Sequence, residues 1–443
     1  MTIGSVVAAV AVVAVPMLAA QEAAPPRADT LDLPGAVALA RQANPRLAAA
    51  GALVEAAAAR IRPAGALPDP TLQLGLMNYM LPSLSARRDP LSMNQVTLMQ
   101  MLPVNGSLGL RRGVARADSA RVAFGRDATV LDVERDVRAR YWELYHVDRQ
   151  LDVMERTVTV LRDLADISTT MYTVGGGGAS QADVLRAQTA ITRMRQEILD
   201  MGLQRVAAAA ALNAALGRPA ETPVALPAAA HAGHGASSIV LTQPDLPPLE
   251  SLLSQADSGS PAIAAARAMS QGAATNERLV RRMIVPDLSL GVAYGQRVGD
   301  NDMVSAMVGV SLPIYAASRQ YRMRDEARAM RAASDADVRT MRLAVRALLT
   351  TAHAEAVTAR QQVASYTGTL LPQAEAGVTA ALAAYRVGRA DFPAVLDAQM
   401  ALLEFEHDLH RYEAMYGTAV ADIDRLAGRP FHGPSHESGR RSP

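Results

Sequence analysis

The sequence predicts a mainly α fold with a small transmembrane β part, built from two structural repeats. Three observations predict it. Four sequence landmarks recur in the same order in both halves of the 443-residue chain, each half contains two short stretches of alternating hydrophobicity, and each half contains a very long segment that is nearly free of Pro. Each repeat is therefore expected to pair a strand hairpin with a long helical hairpin.

The internal repeat rests on landmarks in nearly constant register. They are an Asn-Pro or Ser-Pro pair before an Ala-rich phrase, a Pro-Asp pair, a Leu-Pro pair, and a Tyr-x-Val-Gly phrase followed by Val-Leu-x-Ala-Gln. The four begin at Asn44, Pro68, Leu102 and Tyr172 in the first half, and at Ser260, Pro286, Leu312 and Tyr385 in the second. The second phrase of the last landmark begins at Val184 and at Val395. A chance match would hardly preserve this order, which indicates a duplication.

The composition favours closely packed helices over a compact enzyme core. Half of the residues are hydrophobic, but Ala is abundant and only 4% are aromatic. Small side chains let long helices approach one another closely. The 44 basic and 43 acidic residues nearly cancel, so a nucleic-acid surface is not expected. The absence of Cys excludes disulfides, thiolate metal sites and thiol nucleophiles.

The N-terminus predicts a signal peptide over residues 1–20, followed by a short N-terminal segment over 21–31. An apolar run from Val6 to Ala20 ends in small residues suited to cleavage. The first five residues carry no Lys or Arg, so a different true start codon and a disordered apolar N-terminus both stay open. No other uninterrupted apolar stretch reaches roughly 18 residues, and membrane passage is therefore expected to use strands.

Alternating hydrophobicity predicts four strands, at about 70–79, 94–102, 287–295 and 303–312. A period of two gives each strand one apolar face and one face of small or polar residues. Each run has about the 9–11 residues that a tilted transmembrane strand needs. Four strands are too few to close a channel-forming barrel, so several protomers would have to contribute to one. Half-buried hairpins of a soluble protein are the alternative.

The long helices are expected to run from about 107 to 173 and from about 317 to 387. Pro372 is the one Pro inside the second and predicts a kink or an interruption there. Each ends at a Val-Gly pair, where Gly supplies the left-handed conformation of a helix C-terminus. New helices are expected around Gln181 and Ala394, with Ser180 and Asp391 as N-caps. These features predict hairpin tips at about 174–180 and 387–393.

These patterns divide the chain into a first repeat over 32–216, a connector over 217–248, a second repeat over 249–427 and a disordered tail over 428–443. The connector is rich in Pro, Ala and His and shows little periodicity. With the tip phrases and Leu-Pro strand exits in place, the chain resembles the TolC or outer-membrane efflux protein family, the outer-membrane factors of tripartite efflux or type I secretion systems.

The resemblance implies a homotrimer in which twelve strands form one barrel in the outer membrane, continued by an α-helical barrel across the periplasm. It implies a passive exit duct without a cofactor, served by a periplasmic adaptor (membrane fusion protein) and an inner-membrane pump. A soluble periplasmic coiled-coil adaptor or structural protein is the alternative function. That alternative leaves the two strand hairpins unexplained.

The resemblance also implies site residues. The adaptor-contacting turns of the family fall on Val174, Gly175, Val387 and Gly388. Acidic residues just past the tips gate the pore in TolC-like proteins. That role falls on Asp183 and Asp397, while Ala394 stands where a further Asp is expected. Because Arg186 aligns internally with Asp397, an Arg186–Asp397 pair between neighbouring hairpins is a further possibility, and ordinary solvated helix charge is the alternative for all three.

Neither catalysis nor a resident metal is predicted. His407 and His410, with Glu404 and Glu406 nearby, have spacings that allow a metal, although a solvated helix face is the commoner reason for such a pattern. No nucleophile elbow, P-loop or dinucleotide motif is present.

The methionines leave one question open. Four of them lie in or beside the predicted strands: Met93, Met99, Met101 and Met307. Thioethers bind Cu(I), but Met more often fills apolar space.

Overall fold

A computed structural model of the chain describes residues 29–82, 85–87, 89–173, 180–227, 238 and 240–429. The expected signal peptide, the residues of the first tip from 174 to 179, part of the connector and the tail from 430 lie outside the described residues.

The first repeat contains short helices, a strand hairpin and a long helical hairpin. Its elements are β1 Asp29–Thr30, α1 Leu33–Ala43, α2 Pro45–Ala59, α3 Ile61–Ala64, β2 Thr71–Met77, β3 Met93–Leu102, α4 Ser107–Thr173, α5 Gln181–Leu216 and β4 Val224–Ala225. At 67 residues, α4 is on the order of 100 Å long. A helix of that length needs neighbours along its whole course.

The second repeat has the same order of helices, strands and helical hairpin. Its elements are α6 Leu249–Gly259, α7 Pro261–Arg282, β5 Leu288–Arg297, β6 Met303–Val310, α8 Gln320–Ser365, a π-helix Tyr366–Leu370, α9 Leu371–Arg386 and α10 Phe392–Ala427. The duplicated, mainly helical fold predicted from the sequence is therefore confirmed. No helix in the described part of the chain is both long enough and apolar enough to cross a membrane.

One antiparallel sheet collects the four long strands in the order β2-β3-β5-β6. The two hairpins join through β3 and β5, whose register runs from Met93 opposite Arg297 to Leu102 opposite Leu288. One face carries Leu and Val and is strongly exposed, with Leu74 at 76% and Val304 at 74%. The other carries Gln, Thr, Ser, Gly and Met, so the alternation in the sequence has become two chemically different faces.

A short π-helix lies just before Pro372 in the second long helix. The interruption predicted at Pro372 takes this form, and the chain stays helical from Gln320 to Arg386 through the π-helical residues Tyr366–Leu370. Pro has no N–H to donate, and a single π turn is one way in which a helix accommodates that loss. The Tyr366 hydroxyl donates to Asp408 of α10 at 2.9 Å, which ties this turn to the neighbouring helix.

Two glycines at the ends of the return helices show the repeat at atomic detail. Gly217 after α5 and Gly428 after α10 both have positive φ, +81° and +83°. A Cβ on Gly217 would lie 2.8 Å from the Asn44 Cα, and one on Gly428 would overlap the Gly259 carbonyl. Each glycine thus lets its helix end on the junction between the first two helices of its own repeat.

Three apolar clusters hold the bundle together. One packs mainly α1, α4 and α5 of the first repeat, and a second packs α6, α8 and α10 of the second. The third lies near the tips and joins both repeats through Leu161, Leu164, Tyr385, Phe392 and Val395.

The two repeats also meet where Trp142, the chain's single Trp, packs against α10. Its ring covers Gly417 so closely that a Cβ there would overlap it.

A small parallel pair links the N-terminal segment to the connector. Asp29 lies opposite Val224 and Thr30 opposite Ala225. The sequence did not predict this pair, because two residues are too few to show a periodicity.

Candidate tip and pore-gating site

The second tip is a tight turn closed by backbone hydrogen bonds. The Gly388 N–H donates to the Tyr385 carbonyl at 3.0 Å, and the Arg389 N–H donates to the Ala384 carbonyl at 2.9 Å. This pattern requires a left-handed residue after the helix, and Gly388 supplies it with φ +69°. Val387 is 68% exposed at the end of α9. The corresponding residues of the first tip, Val174 and Gly175, lie outside the described residues.

Tyr385 and Asp391 anchor the two sides of this turn. Tyr385 is fully buried, and its hydroxyl lies 2.9 Å from the Ser168 hydroxyl of α4. Asp391 accepts a hydrogen bond from the Ala394 N–H at 3.2 Å and is the N-cap of α10, as predicted. The helix begins at Phe392, two residues before the predicted position. The exposed Val387 is therefore held on a built turn.

Asp183 completes a capping box at the start of α5. Its carboxylate accepts hydrogen bonds from the Ser180 N–H at 2.9 Å and from the Ser180 hydroxyl at 2.8 Å. The Asp183 N–H in turn donates to the Ser180 hydroxyl oxygen at 3.3 Å. Asp183 is only 7% exposed, and its carboxylate faces Ser180 and stabilises the helix N-terminus.

Arg186 lies one turn further along the same helix. Its guanidinium donates to Asp183 at 3.4 Å, and its side chain is more than half exposed. The structure therefore brings Arg186 together with Asp183 within one protomer. The predicted contact with Asp397 between neighbouring hairpins stays a prediction.

Asp397 has a different environment from Asp183. It is exposed on α10 and borders a groove of about 580 Å³ that also reaches α4 and α5. Glu404 and Asp408 follow it on the same side of α10, and Glu197 of α5 lines the same groove. The groove is thus acidic along several turns, and acidic linings favour cations.

Sequence reasoning missed Glu197 and Asp408 as lining residues. The spacing of Asp397, Glu404 and Asp408, seven and then four residues apart, already places the three on one helix face. Nothing in the sequence indicates that Glu197, on another helix, faces them. Of these three acids on α10, Asp397 and Glu404 are exposed, whereas Asp408 is half-buried and accepts a hydrogen bond from Arg411 at 2.7 Å.

The histidines on α10 belong to a polar cluster that crosses to α4. His410 donates to Glu413 at 2.9 Å, and the Gln150 amide lies 2.8 Å from Nδ1 of His407. Within the described residues, no group of three or more His, Asp or Glu is arranged to hold a metal ion. Glu406 is instead 3.7 Å from Arg156, and Glu404 is exposed.

Glu413 is the centre of this cluster. It is buried and accepts hydrogen bonds from Tyr145 of α4 at 2.8 Å and from Ser238 of the connector. Burial alone would raise the pKa of Glu413, but the hydrogen bonds from His410, Ser238 and Tyr145 outweigh it and the pKa is lowered. The charged carboxylate therefore ties the connector to both repeats.

Comparison with known proteins identifies the family. The model of the outer membrane efflux protein family matches residues 36–218 and 252–429. The chain belongs to that family. The two matched segments contain the two strand and helix hairpins described above. No curated protein matches the sequence.

Solved structures share the fold at low sequence identity. The outer membrane protein VceC of Vibrio cholerae is 17% identical, with a TM-score of 0.72 over 90% of this chain and 96% of that chain. The open state of the MtrE outer membrane channel of Neisseria gonorrhoeae is 16% identical, with a TM-score of 0.73 over 90% and 89%. A Pseudomonas aeruginosa membrane protein is 19% identical, with a TM-score of 0.76 over 90% and 91%.

Family membership establishes the biological setting of the site. The chain is an outer-membrane channel component of an efflux system, located in the outer membrane and extending into the periplasm. The family consists of transport proteins, in agreement with the absence of catalytic motifs in the sequence.

Proposed function

We propose that three copies of this chain form a passive exit duct, with a twelve-stranded barrel in the outer membrane and a helical tunnel in the periplasm. The open sheet carries this proposal. Within the described residues, β2 pairs only with β3 and β6 only with β5, so both sheet edges have unsatisfied backbone groups. In a membrane such edges must be paired, and neighbouring copies can pair them.

The exposed Leu and Val face supports the same arrangement. In water it would be an unusually large apolar patch, but it suits contact with lipid. It also disfavours the soluble periplasmic adaptor or coiled-coil structural protein, which has no use for such a surface. The opposite face, with its Gln, Thr and Ser side chains, is then the wall of an aqueous passage.

We further propose that the tips receive a periplasmic adaptor that couples the duct to an inner-membrane pump. Val174, Gly175, Val387 and Gly388 are the proposed contacts. The exposure of Val387 on the closed turn at Gly388 supports this for the second tip, because an apolar side chain on a fixed turn suits a docking surface.

We propose that Asp183, Arg186 and Asp397 take part in gating, and that their roles differ. Asp397 is proposed to act on cations directly, since it is exposed beside the acidic groove. Asp183 and Arg186 are proposed to shape the pore indirectly by fixing the first turn of α5. We also propose that the chain is divided into a signal peptide over 1–20, an N-terminal segment over 21–31, repeats over 32–216 and 249–427, a connector over 217–248 and a tail over 428–443.

Disulfide cross-linking tests the trimer, because the chain has no Cys of its own. Gln73→Cys in β2 is combined in turn with Cys at Met303, Ser305 or Met307, which lie on the same face in β6. Oxidation of intact cells should yield a disulfide-linked trimer for at least one register. Gln73→Cys with Ala293→Cys in the central strand β5 is the matched control and should stay monomeric. Monomers from all three edge pairs would contradict the shared barrel.

A further inference from the structure

The methionines of the sheet all lie on one face. Six Met occur in the four strands, and the strand pairing places every one of them on the face that also carries Gln73, Gln95, Thr97 and Ser305. The six are Met77, Met93, Met99, Met101, Met303 and Met307. The Leu and Val face has none. If Met served here only as an apolar filler, it would be expected on the apolar face as well.

Glycines leave room for these thioether side chains to approach one another. Gly291 lies in register between Met99 of β3 and Met307 of β6. A Cβ on Gly291 would be 3.2 Å from the Met99 Cγ and 3.4 Å from the Met307 Cε, so the two side chains converge over bare backbone. This places two thioethers from different strands above one point of the wall.

A second site of the same kind lies further along the strands. Gly295 is in register with Met303, and a Cβ on Gly295 would overlap the Met93 sulfur. Met77 is the direct neighbour of Met93 on the other side. Thioethers are therefore available at successive levels of the sheet.

Few other groups on this face compete with the thioethers for a soft metal ion. Arg297 is the one charged residue on it within the described strands, and it is paired with Asp300 at 3.1 Å near the hairpin turn. Soft thioether ligands select Cu(I) over harder cations such as Mg²⁺ or Ca²⁺, and Ag⁺ is a soft monovalent ion of the same class. Several weak sites in series suit conduction, because an ion must leave each site as readily as it enters.

We propose that the methionine face forms a thioether-lined path for a soft monovalent metal cation of the Cu(I) and Ag(I) class. This inference rests on the proposed duct, since the methionines line a passage only if the Leu and Val face meets lipid. It assigns a cargo class to the duct. Met99 and Met307 form its central level.

The test uses Ag⁺ as silver nitrate in chloride-free electrolyte, with the full-length protein in planar bilayers. In the wild type, Ag⁺ should lower the single-channel conductance carried by K⁺. The double variant Met99→Leu, Met307→Leu keeps the size and apolarity of the side chains but removes the sulfur. The Ag⁺ concentration for half the effect should rise at least about tenfold, the change that corresponds to ~1.4 kcal/mol.

A matched control places the same change outside the sheet. Met269 and Met330 are about half exposed on α7 and α8, and the variant Met269→Leu, Met330→Leu should respond to Ag⁺ as the wild type does. Since no Cys is present, thiols do not compete for Ag⁺. The number of Ag⁺ bound per detergent-solubilised chain, measured by mass spectrometry of the metal, should fall only in the sheet variant.

The outcomes separate this inference from the proposed function. If the wild type forms no channel, the duct itself is overturned. If the wild type conducts K⁺ but Ag⁺ has no effect, or the Met99→Leu, Met307→Leu variant responds like the wild type, the thioether path is overturned and the duct is retained. Recovery of the sheet variant from the outer-membrane fraction, with the thermal unfolding midpoint of the wild type, demonstrates that it folds.

Discussion

At the scale of single residues, Asp183 and Asp397 show how one predicted role divides between two environments. Both follow a tip, and the family resemblance implies a gating role for both. Asp183 is buried in a capping box with Ser180, whereas Asp397 is exposed beside an acidic groove. Their replacement should therefore have different consequences.

We expect Asp183→Ala to act on stability and Asp397→Ala to act on conduction. Loss of a cap costs about 1 kcal/mol, so Asp183→Ala should lower the thermal midpoint and speed amide exchange at the start of α5. Asp397→Ala should leave the midpoint unchanged and reduce the preference for cations in planar bilayers. Equal cation selectivity in the wild type and Asp397→Ala would remove Asp397 from the gate.

His146 predicts a pH dependence of stability. Burial is the largest cause that lowers its pKa from 6.5 to about 4, with further lowering by the nearby His407 and His410. The unfolded chain then takes up this proton at a higher pH than the folded protein does. The free energy of unfolding should fall as the pH falls from about 6.5 to about 4.

Thermal unfolding of the detergent-solubilised protein across this pH range measures the effect. His146→Phe should flatten the dependence, because no proton is taken up at that position. His353→Gln, on α8 and outside the cluster, should keep the slope of the wild type. An unchanged slope in His146→Phe would show that other groups cause the loss of stability.

The sequence permits prediction of a residue's role where its partner is close along the chain. Ser180 and Asp391 were recognisable as N-caps because a cap is made with backbone two or three residues away. Two partners of Glu413, Tyr145 and Ser238, are remote in sequence. Their meeting depends on which helices become neighbours, and a single sequence contains no signal for that.

At the scale of elements, periodicity made the strands and long helices predictable. Hydrophobicity that alternates with a period of two residues indicates a strand with one apolar and one polar face, and long segments nearly free of Pro indicate the helices. The π-helix at Tyr366–Leu370 was not predictable in the same way. Pro372 signals a disturbance, but its form depends on packing against α10, where Asp408 holds the Tyr366 hydroxyl.

The second tip can be tested with a pair of Gly replacements. Gly388→Ala should destabilise the protein by about 1 kcal/mol, because its φ of +69° is strained for a residue with a Cβ. Gly377 lies inside α9 with open space around it, so Gly377→Ala should gain up to ~1 kcal/mol. Chemical or thermal unfolding compares the two, and shifts of the same sign would contradict the turn described here.

At the scale of the whole molecule, the two repeats are joined by a row of ion pairs between α4 and α10. Arg135 binds Asp422 through two hydrogen bonds of 2.9 and 3.1 Å, and Arg425 lies 3.5 Å from Asp132. Arg138 and Asp424 form the most buried pair of the row. These contacts fix how one repeat sits against the other.

Asp424→Ala should cost roughly 3 kcal/mol, because it leaves the partly buried Arg138 without its carboxylate partner. Asp118→Ala breaks an exposed pair with Arg121 within α4 and should cost about 0.5 kcal/mol or less. Unfolding midpoints in detergent compare the variants. Similar losses for both would mean that the contact between repeats does not depend on this row.

The contact of Trp142 with Gly417 gives the channel a built-in optical reporter. Trp142 is the single Trp of the chain and lies where the first repeat meets the second. Its indole emission therefore comes from one place, and it responds to water and to nearby polar groups. Any movement of one helical hairpin against the other at this seam changes the wavelength or lifetime of that emission. Movement at this seam can thus be followed in the unmodified protein, in membranes and in real time, without an attached dye.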